Sequence, residues 1–223
     1  IILFMDFYVP LFLILPFLLG KKPSKVSTSK STTSEYLFPD VEKVRNVPFA
    51  MGTAKPKWPL ITKNSRGREV PYLTKSKKYI GNPSRSFGVL RSDGDRYHVG
   101  LDLYCDLNDV VVAMESGTVV NTQGFLGPTK ALLIQGKSGL VVLYGEIKNN
   151  SWDEFSIKEG SVVKAGDPIA RIGMNDAGTH MLHLETYAKD TTQNISWPSN
   201  KSVNPSIKNP TKYLLQAQKY DLS

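Results

Sequence analysis

The chain has three histidines, His98, His180 and His183, and all lie in or beside two short stretches, His98-Val99-Gly100-Leu101-Asp102 and His183-Leu184-Glu185. Both stretches read as strands. Side chains alternate across a strand, so His98, Gly100 and Asp102 share one face while Val99 and Leu101 share the other. Met181, His183 and Glu185 likewise point one way, and Leu182 and Leu184 the other. Laid side by side with their polar faces together, the two strands offer two imidazoles and a carboxylate, with a fourth position open. Three N/O ligands plus water describe a catalytic zinc site. Gly100 is expected to leave the space above the metal free of a side chain. The competing reading is a pair of hydrogen-bonded core histidines, which an extended apolar setting also accommodates.

The elements that must position these residues begin near Gly81. Short apolar runs follow, at Phe87 to Leu90, Tyr97 to Tyr104, Val110 to Met114, Thr118 to Thr122, Ala131 to Gln135 and Leu140 to Tyr144. Three more are Ser161 to Lys164, Ile169 to Ile172 and Met181 to Tyr187. Runs of this length separated by Gly, Asp, Asn and Pro predict an all-β domain, an antiparallel sandwich or partly closed barrel. Pro210 to Gln218 is expected to form a terminal helix. Gly160, Gly166 and Gly173 space a segment similar to lipoyl and biotinyl carriers, but the chain has no Met-Lys pair to modify, so the segment reads as scaffold.

The front of the chain is different. Residues 1–20 are apolar apart from Asp6 and barely long enough to span a bilayer. With no basic start and no small-residue cleavage site, they read as an uncleaved membrane anchor. Residues 21–80 form a basic flexible linker and irregular arm, with fourteen Lys/Arg against four Asp/Glu in a chain of net charge +8, so the rest of the chain is slightly acidic. A solvated tether and attraction to an anionic surface both account for that charge. No nucleic-acid motif accompanies it, and nucleic acid is not an expected partner. Lysines after the apolar run argue for a cytoplasmic carboxyl side, against a wall-facing enzyme in a cell. A membrane-containing virion would remove that conflict. Cys105 is the single cysteine, so no intramolecular disulfide and no Cys-rich zinc site can form.

From about Ser86 to Leu215 the chain resembles the lysostaphin-type (LytM-like) zinc metallopeptidases, endopeptidases of bacterial peptidoglycan. The resemblance is carried by Arg96-Tyr97-His98-Val99-Gly100-Leu101-Asp102, Val112-Ala113, Ser116-Gly117-Thr118-Val119, Leu143-Tyr144-Gly145, His183-Leu184-Glu185 and Asn209-Pro210-Thr211-Lys212-Tyr213-Leu214. It implies that His98, Asp102 and His183 are zinc ligands. The sequence departs from that family at two places where a catalytic histidine is usual, Met181 in the last strand and Glu146 after the middle-strand Tyr144. Glu146 is a reasonable substitute base, since glutamate serves as general base in other zinc peptidases. Capping a strand edge is its plainer role. His180 would reach the site only through a bulge at the strand entrance. Glu185 is expected to orient a ligand from behind, and Tyr144 to lie nearby.

The resemblance, together with the apolar leading segment, implies a membrane-tethered zinc endopeptidase acting on peptidoglycan peptides, held facing the cell wall in the periplasm or outside the cell, or on a virion. The alternative is a catalytically inactive domain that binds cell wall or activates a partner.

Overall fold

The computed structural model describes residues 41–74 and 78–222, within the second of two units, Thr32–Ser223. The expected anchor at 1–20 and residues 21–40 of the linker lie outside the described residues. Among the described residues no helix is long and apolar enough to cross a membrane.

Helix α1 (Val41–Arg45) leads into the arm, which carries β1 (Leu60–Ile61), β2 (Tyr72–Leu73) and β3 (Tyr79–Ile80). A hairpin of β4 (Leu90–Arg91) and β5 (Arg96–Tyr97) precedes β6 (Leu101–Tyr104) and β7 (Val110–Val112). Three long strands follow, β8 (Gly117–Gly124), β9 (Lys130–Gly136) and β10 (Val141–Ile147). The chain closes with β11 (Val162–Val163), β12 (Pro168–Arg171), β13 (Met181–Tyr187), β14 (Trp197–Pro198), β15 (Ile207–Lys208) and helix α2 (Thr211–Asp221). The all-β expectation therefore holds, with every ladder between named strands antiparallel.

The main sheet runs β11-β8-β9-β10-β13-β15, with β6 also paired to β13. β13 is its centre. β10 lies along one edge of β13, while β6 and β15 share the other edge end to end. All seven residues of β13 are buried, so both of its faces are covered. Leu182 and Leu184 join Leu101, Leu103, Leu132 and Val142 in one apolar core. Removing a large buried side chain from such a core costs about 2–5 kcal/mol, which makes this face the main fixed point of the fold.

The arm is less separate than its irregular sequence suggests. Val47, Ala50, Trp58, Leu60 and Val70 are all buried in the same core. β1 extends a small sheet through β7 to β12, and the backbone N–H of Trp58 donates to Asp221 on α2 at 2.8 Å. Packing thus reaches back well before Gly81. The scaffold segment behaves as expected: Gly160 and Gly166 take positive φ in turns that flank β11, and β11 and β12 pair with β8 and β7.

Candidate metal centre

Two connections differ from simple strand geometry. The Tyr97 to Tyr104 run is not one strand: β5 ends at Tyr97, the chain bends at Gly100, and β6 starts at Leu101. His98 is therefore held by the β4–β5 hairpin, where its N–H donates to Val89 O at 2.7 Å and its carbonyl accepts from Gly88 N at 2.7 Å. Asp102 sits in β6 directly opposite His183 of β13. On the other edge of β13, His183 faces Gly145 of β10. Directly opposed residues share a sheet face, so Asp102, His183 and Gly145 make one row.

The three side chains converge. His98 Nε2 lies 3.1 Å from Asp102 Oδ1 and 3.2 Å from His183 Nδ1, and that nitrogen lies 2.9 Å from Asp102 Oδ1. All three residues are buried. Ligands held about 2.0–2.1 Å from a tetrahedral zinc stand about 3.3 Å from one another, close to the spacing seen. This is the one His/Cys/Asp/Glu group among the described residues that could hold a metal ion.

The surroundings fix which nitrogen of each ring is free. His98 Nδ1 lies 2.8 Å from the Ser86 carbonyl, which can only accept, so Nδ1 carries the proton and Nε2 keeps its lone pair. His183 Nε2 donates to Glu185 Oε1 at 2.9 Å, leaving Nδ1 free. The Tyr187 hydroxyl donates to the other Glu185 oxygen. Ile195 N–H in turn donates to that hydroxyl at 2.9 Å. Once His183 Nδ1 gives up its proton, both lone pairs point into the space shared with Asp102 Oδ1, and Glu185 holds the His183 ring from its Nε2 side.

Charge at the cluster is strongly coupled. Burial would push the Asp102 carboxyl up, but His98 and His183 beside it hold it well below the ordinary carboxylate range. Burial pulls His98 down. Burial also opposes charge on His183, yet hydrogen bonds and attraction from Asp102 and Glu185 carry it up to about 10. Without a cation, that imidazolium supplies the positive charge the two carboxylates need. A divalent ion would take over that part, releasing a proton.

Gly100 has a different job from the one its spacing suggests. A Cβ there would stand 2.6 Å from Leu184 O, 2.7 Å from His183 Nε2 and 2.9 Å from His183 Cε1. The glycine makes room for the back of the His183 ring and does not clear space over a metal. Because Leu184 O is backbone in the central strand, it cannot step aside. Gly100→Ala is expected to destabilise the fold by about 1–3 kcal/mol, read as a lower urea midpoint with an unchanged m value.

Glu146 reaches the site region through an irregularity. Between Tyr144 and Ile147 the β9–β10 register slips by one residue, and Glu146 takes φ 59°. That left-handed conformation is costly for a residue with a Cβ and re-aims its side chain. Glu146 is buried, and Asn175 Nδ2 donates to its Oε2 at 3.0 Å. Burial pushes its carboxyl up to about 7, with His183 pulling it down and Asp102 pushing it up, so it stands within the field of the cluster.

Three expectations need correction or completion. Tyr144 pairs with Leu184, on the face opposite His183, and its hydroxyl accepts from Met114 N at 2.9 Å in the core. It is not a neighbour of the cluster. His180 is not turned inward: pairing is regular from Met181 opposite Tyr104, and Cys105 N–H donates to the His180 carbonyl at 3.3 Å, continuing the ladder without a bulge. Alternation puts its side chain on the face away from His183. The bulge lies in β10 instead, under Glu146. Met181 is buried on the cluster's face, and Cys105 is buried in the core.

Residues that the sequence did not single out complete the site. Phe125, in the β8–β9 connection, stacks at 5.1 Å and 41° on the His183 ring. It gets there because residue 145 is glycine; a Cβ on Gly145 would meet the Phe125 ring at 2.9 Å. Asn175 is set by its own loop, its Oδ1 accepting from Ala177 N and Thr179 N at 3.1 Å each. The Asn-x-x-Gly pattern at Asn175 to Gly178 was a readable turn signal. Arg91 donates to Asp102 Oδ2; nothing in its sequence setting marked it.

Residues 96–196 match peptidase family M23. They contain all three converging side chains together with Glu146, Asn175 and Glu185. Among solved structures, the antimicrobial peptidase lysostaphin from Staphylococcus simulans is similar at 17% identity over 78% of this chain and 58% of that chain, with a TM-score of 0.50. The catalytic domain of lysostaphin from the same organism aligns at 19% identity over 58% of this chain and 89% of that one, TM-score 0.45. CbpA from L. salivarius REN aligns at 20% identity over 75% and 99%, TM-score 0.49. At these identities the likeness is one of fold. No curated protein matches the chain.

Proposed function

We propose that the chain is a zinc-dependent endopeptidase that hydrolyses amide bonds in the peptide part of peptidoglycan, tethered to a membrane by its apolar leading segment. The observation that carries the reading is the convergence of His98 Nε2, Asp102 Oδ1 and His183 Nδ1 at 2.9–3.2 Å, with both imidazole tautomers set by outward hydrogen bonds. The donor set, two neutral imidazoles and a carboxylate, suits zinc and leaves coordination free for water and substrate. Zinc held there supplies Lewis acidity towards a water and a carbonyl oxygen.

The chain's own residues do the rest. Glu146, at about 7, is suited to accept a proton from the attacking water and return it to the leaving amine. Asn175 holds one of its oxygens and leaves the other to act. Glu185, backed by Tyr187, keeps the His183 ring in place. Glu185→Gln is expected to weaken zinc binding by about tenfold, at the lower end of what such outer partners contribute, measured by competition with a chromophoric chelator.

The test is to load the full chain with zinc, count bound metal, and digest purified peptidoglycan while following newly formed amino groups. One zinc per chain with new amino groups supports the enzyme. No bound zinc overturns it. Met181, standing where the family usually has a histidine, favours a second reading, a cell-wall-binding or partner-activating module. Stoichiometric zinc without hydrolysis supports that second reading.

A further inference from the structure

Asp102 has two oxygens with different neighbours. Oδ1 faces His98 Nε2 and His183 Nδ1, whereas Oδ2 receives Arg91 Nη2 at 2.5 Å. The Asp102 side chain is 4% exposed and that of Arg91 28%, so the pair meets at the buried end of the guanidinium. Hydrogen bonds between two ionised partners are the strong ones.

Arg91 is also fixed over His98. Its Nη2 is 3.1 Å from His98 Nδ1 and 3.2 Å from Nε2. Nδ1 already donates to Ser86, so it cannot accept from the guanidinium. A point equally far from both nitrogens in the ring plane would collide with Cε1, so Nη2 lies over the ring's face. The backbone delivers it there: Arg91 is extended, paired with Arg96, in the same hairpin that holds His98. Its Nε is buried without a hydrogen-bond partner. An unsatisfied buried donor costs about 1–3 kcal/mol, so the side chain is held in this pose against a penalty.

We infer that Arg91 is a positioning residue that confines Asp102 to a single ligating oxygen and thereby keeps one coordination position of the metal centre open for water and substrate. The inference rests on the zinc reading above. A carboxylate beside a divalent cation can bind through one oxygen or through both. With Oδ2 committed to Arg91, only Oδ1 is available. Arg91 lies on β4, just before the residues that match the peptidase family.

Cobalt in place of zinc reads the coordination number directly, because four-coordinate cobalt absorbs visible light far more strongly than five-coordinate cobalt. The full chain is loaded with Co²⁺ as wild type, Arg91→Met and Arg91→Lys. The wild type is expected to show strong four-coordinate bands. In Arg91→Met the bands fall several-fold as Oδ2 joins the metal, and Arg91→Lys, which keeps a cationic donor, restores them in part. Far-ultraviolet circular dichroism should be the same for all three. X-ray absorption on the zinc-loaded wild type, expected to count four light-atom neighbours, tests the idea even if a variant fails to fold; five neighbours with both carboxylate oxygens bound would overturn it. Identical cobalt spectra in all three proteins would also overturn it, leaving the centre itself intact. A wild type that takes up no cobalt overturns both the centre and the inference.

Discussion

His183→Ala is expected to remove metal binding and hydrolysis together. The substitution deletes one of three converging donors and leaves Asp102 Oδ1 and His98 Nε2, too few to hold zinc against water. It also removes the group that bridges two buried carboxylates, with Nδ1 on Asp102 and Nε2 on Glu185. A Lewis acid contributes several kcal/mol to stabilising charge in the transition state, so its loss lowers the rate by about 10³-fold or more. Metal analysis after dialysis and a peptidoglycan digest measure the two effects in one preparation. A variant that kept stoichiometric zinc with wild-type affinity would sink the proposed centre.

Glu146→Gln separates binding from chemistry. Glutamine keeps the shape, and its carbonyl can still accept from Asn175 Nδ2, but it cannot take a proton at neutral pH. The expected result is zinc content unchanged and turnover reduced by about 10²–10⁴-fold, the usual contribution of a general base. The same variant makes a prediction about stability in the metal-free protein. Burial raises the folded-state value from 4.5 to about 7. A group raised on folding stabilises the fold below its unfolded value, and that contribution is lost as pH climbs through the folded value. Chelator-treated wild type should therefore lose stability relative to Glu146→Gln between about pH 5 and pH 8, on the order of 3 kcal/mol. Urea titrations at the two ends of that range measure it; parallel pH dependence in the two proteins would place Glu146 outside the buried site.

The converging cluster was readable because the chemistry is concentrated. Three histidines in two short stretches, with a carboxylate four residues after the first, leave few ways to build a centre. β13 was read to its exact ends, Met181 and Tyr187, because its alternation is unbroken and turn residues flank it. What the sequence hid depends on register and bends. Tyr144 and Gly145 are adjacent, and only the pairing with β13 decides which of them meets His183. His180 needed a bulge at the entrance of β13 to face the site, yet the slip sits in β10, where no proline or glycine at position 146 announced it. His98 to Asp102 looked continuous, while the chain bends at Gly100 to avoid the His183 ring. Arg91 and Phe125 lie in or beside hairpin connections, where periodicity says nothing about side-chain direction.

The strand that carries His183 is gripped along both edges and covered on both faces. A donor mounted there cannot drift unless the whole domain comes apart, and Asp102 opposite it is tied to the same ladder. Emptying and refilling such a cage needs no folding step. Under the proposed zinc reading, the ion comes and goes as an ordinary equilibrium while the walls stand still, so chelation should silence the protein without melting it.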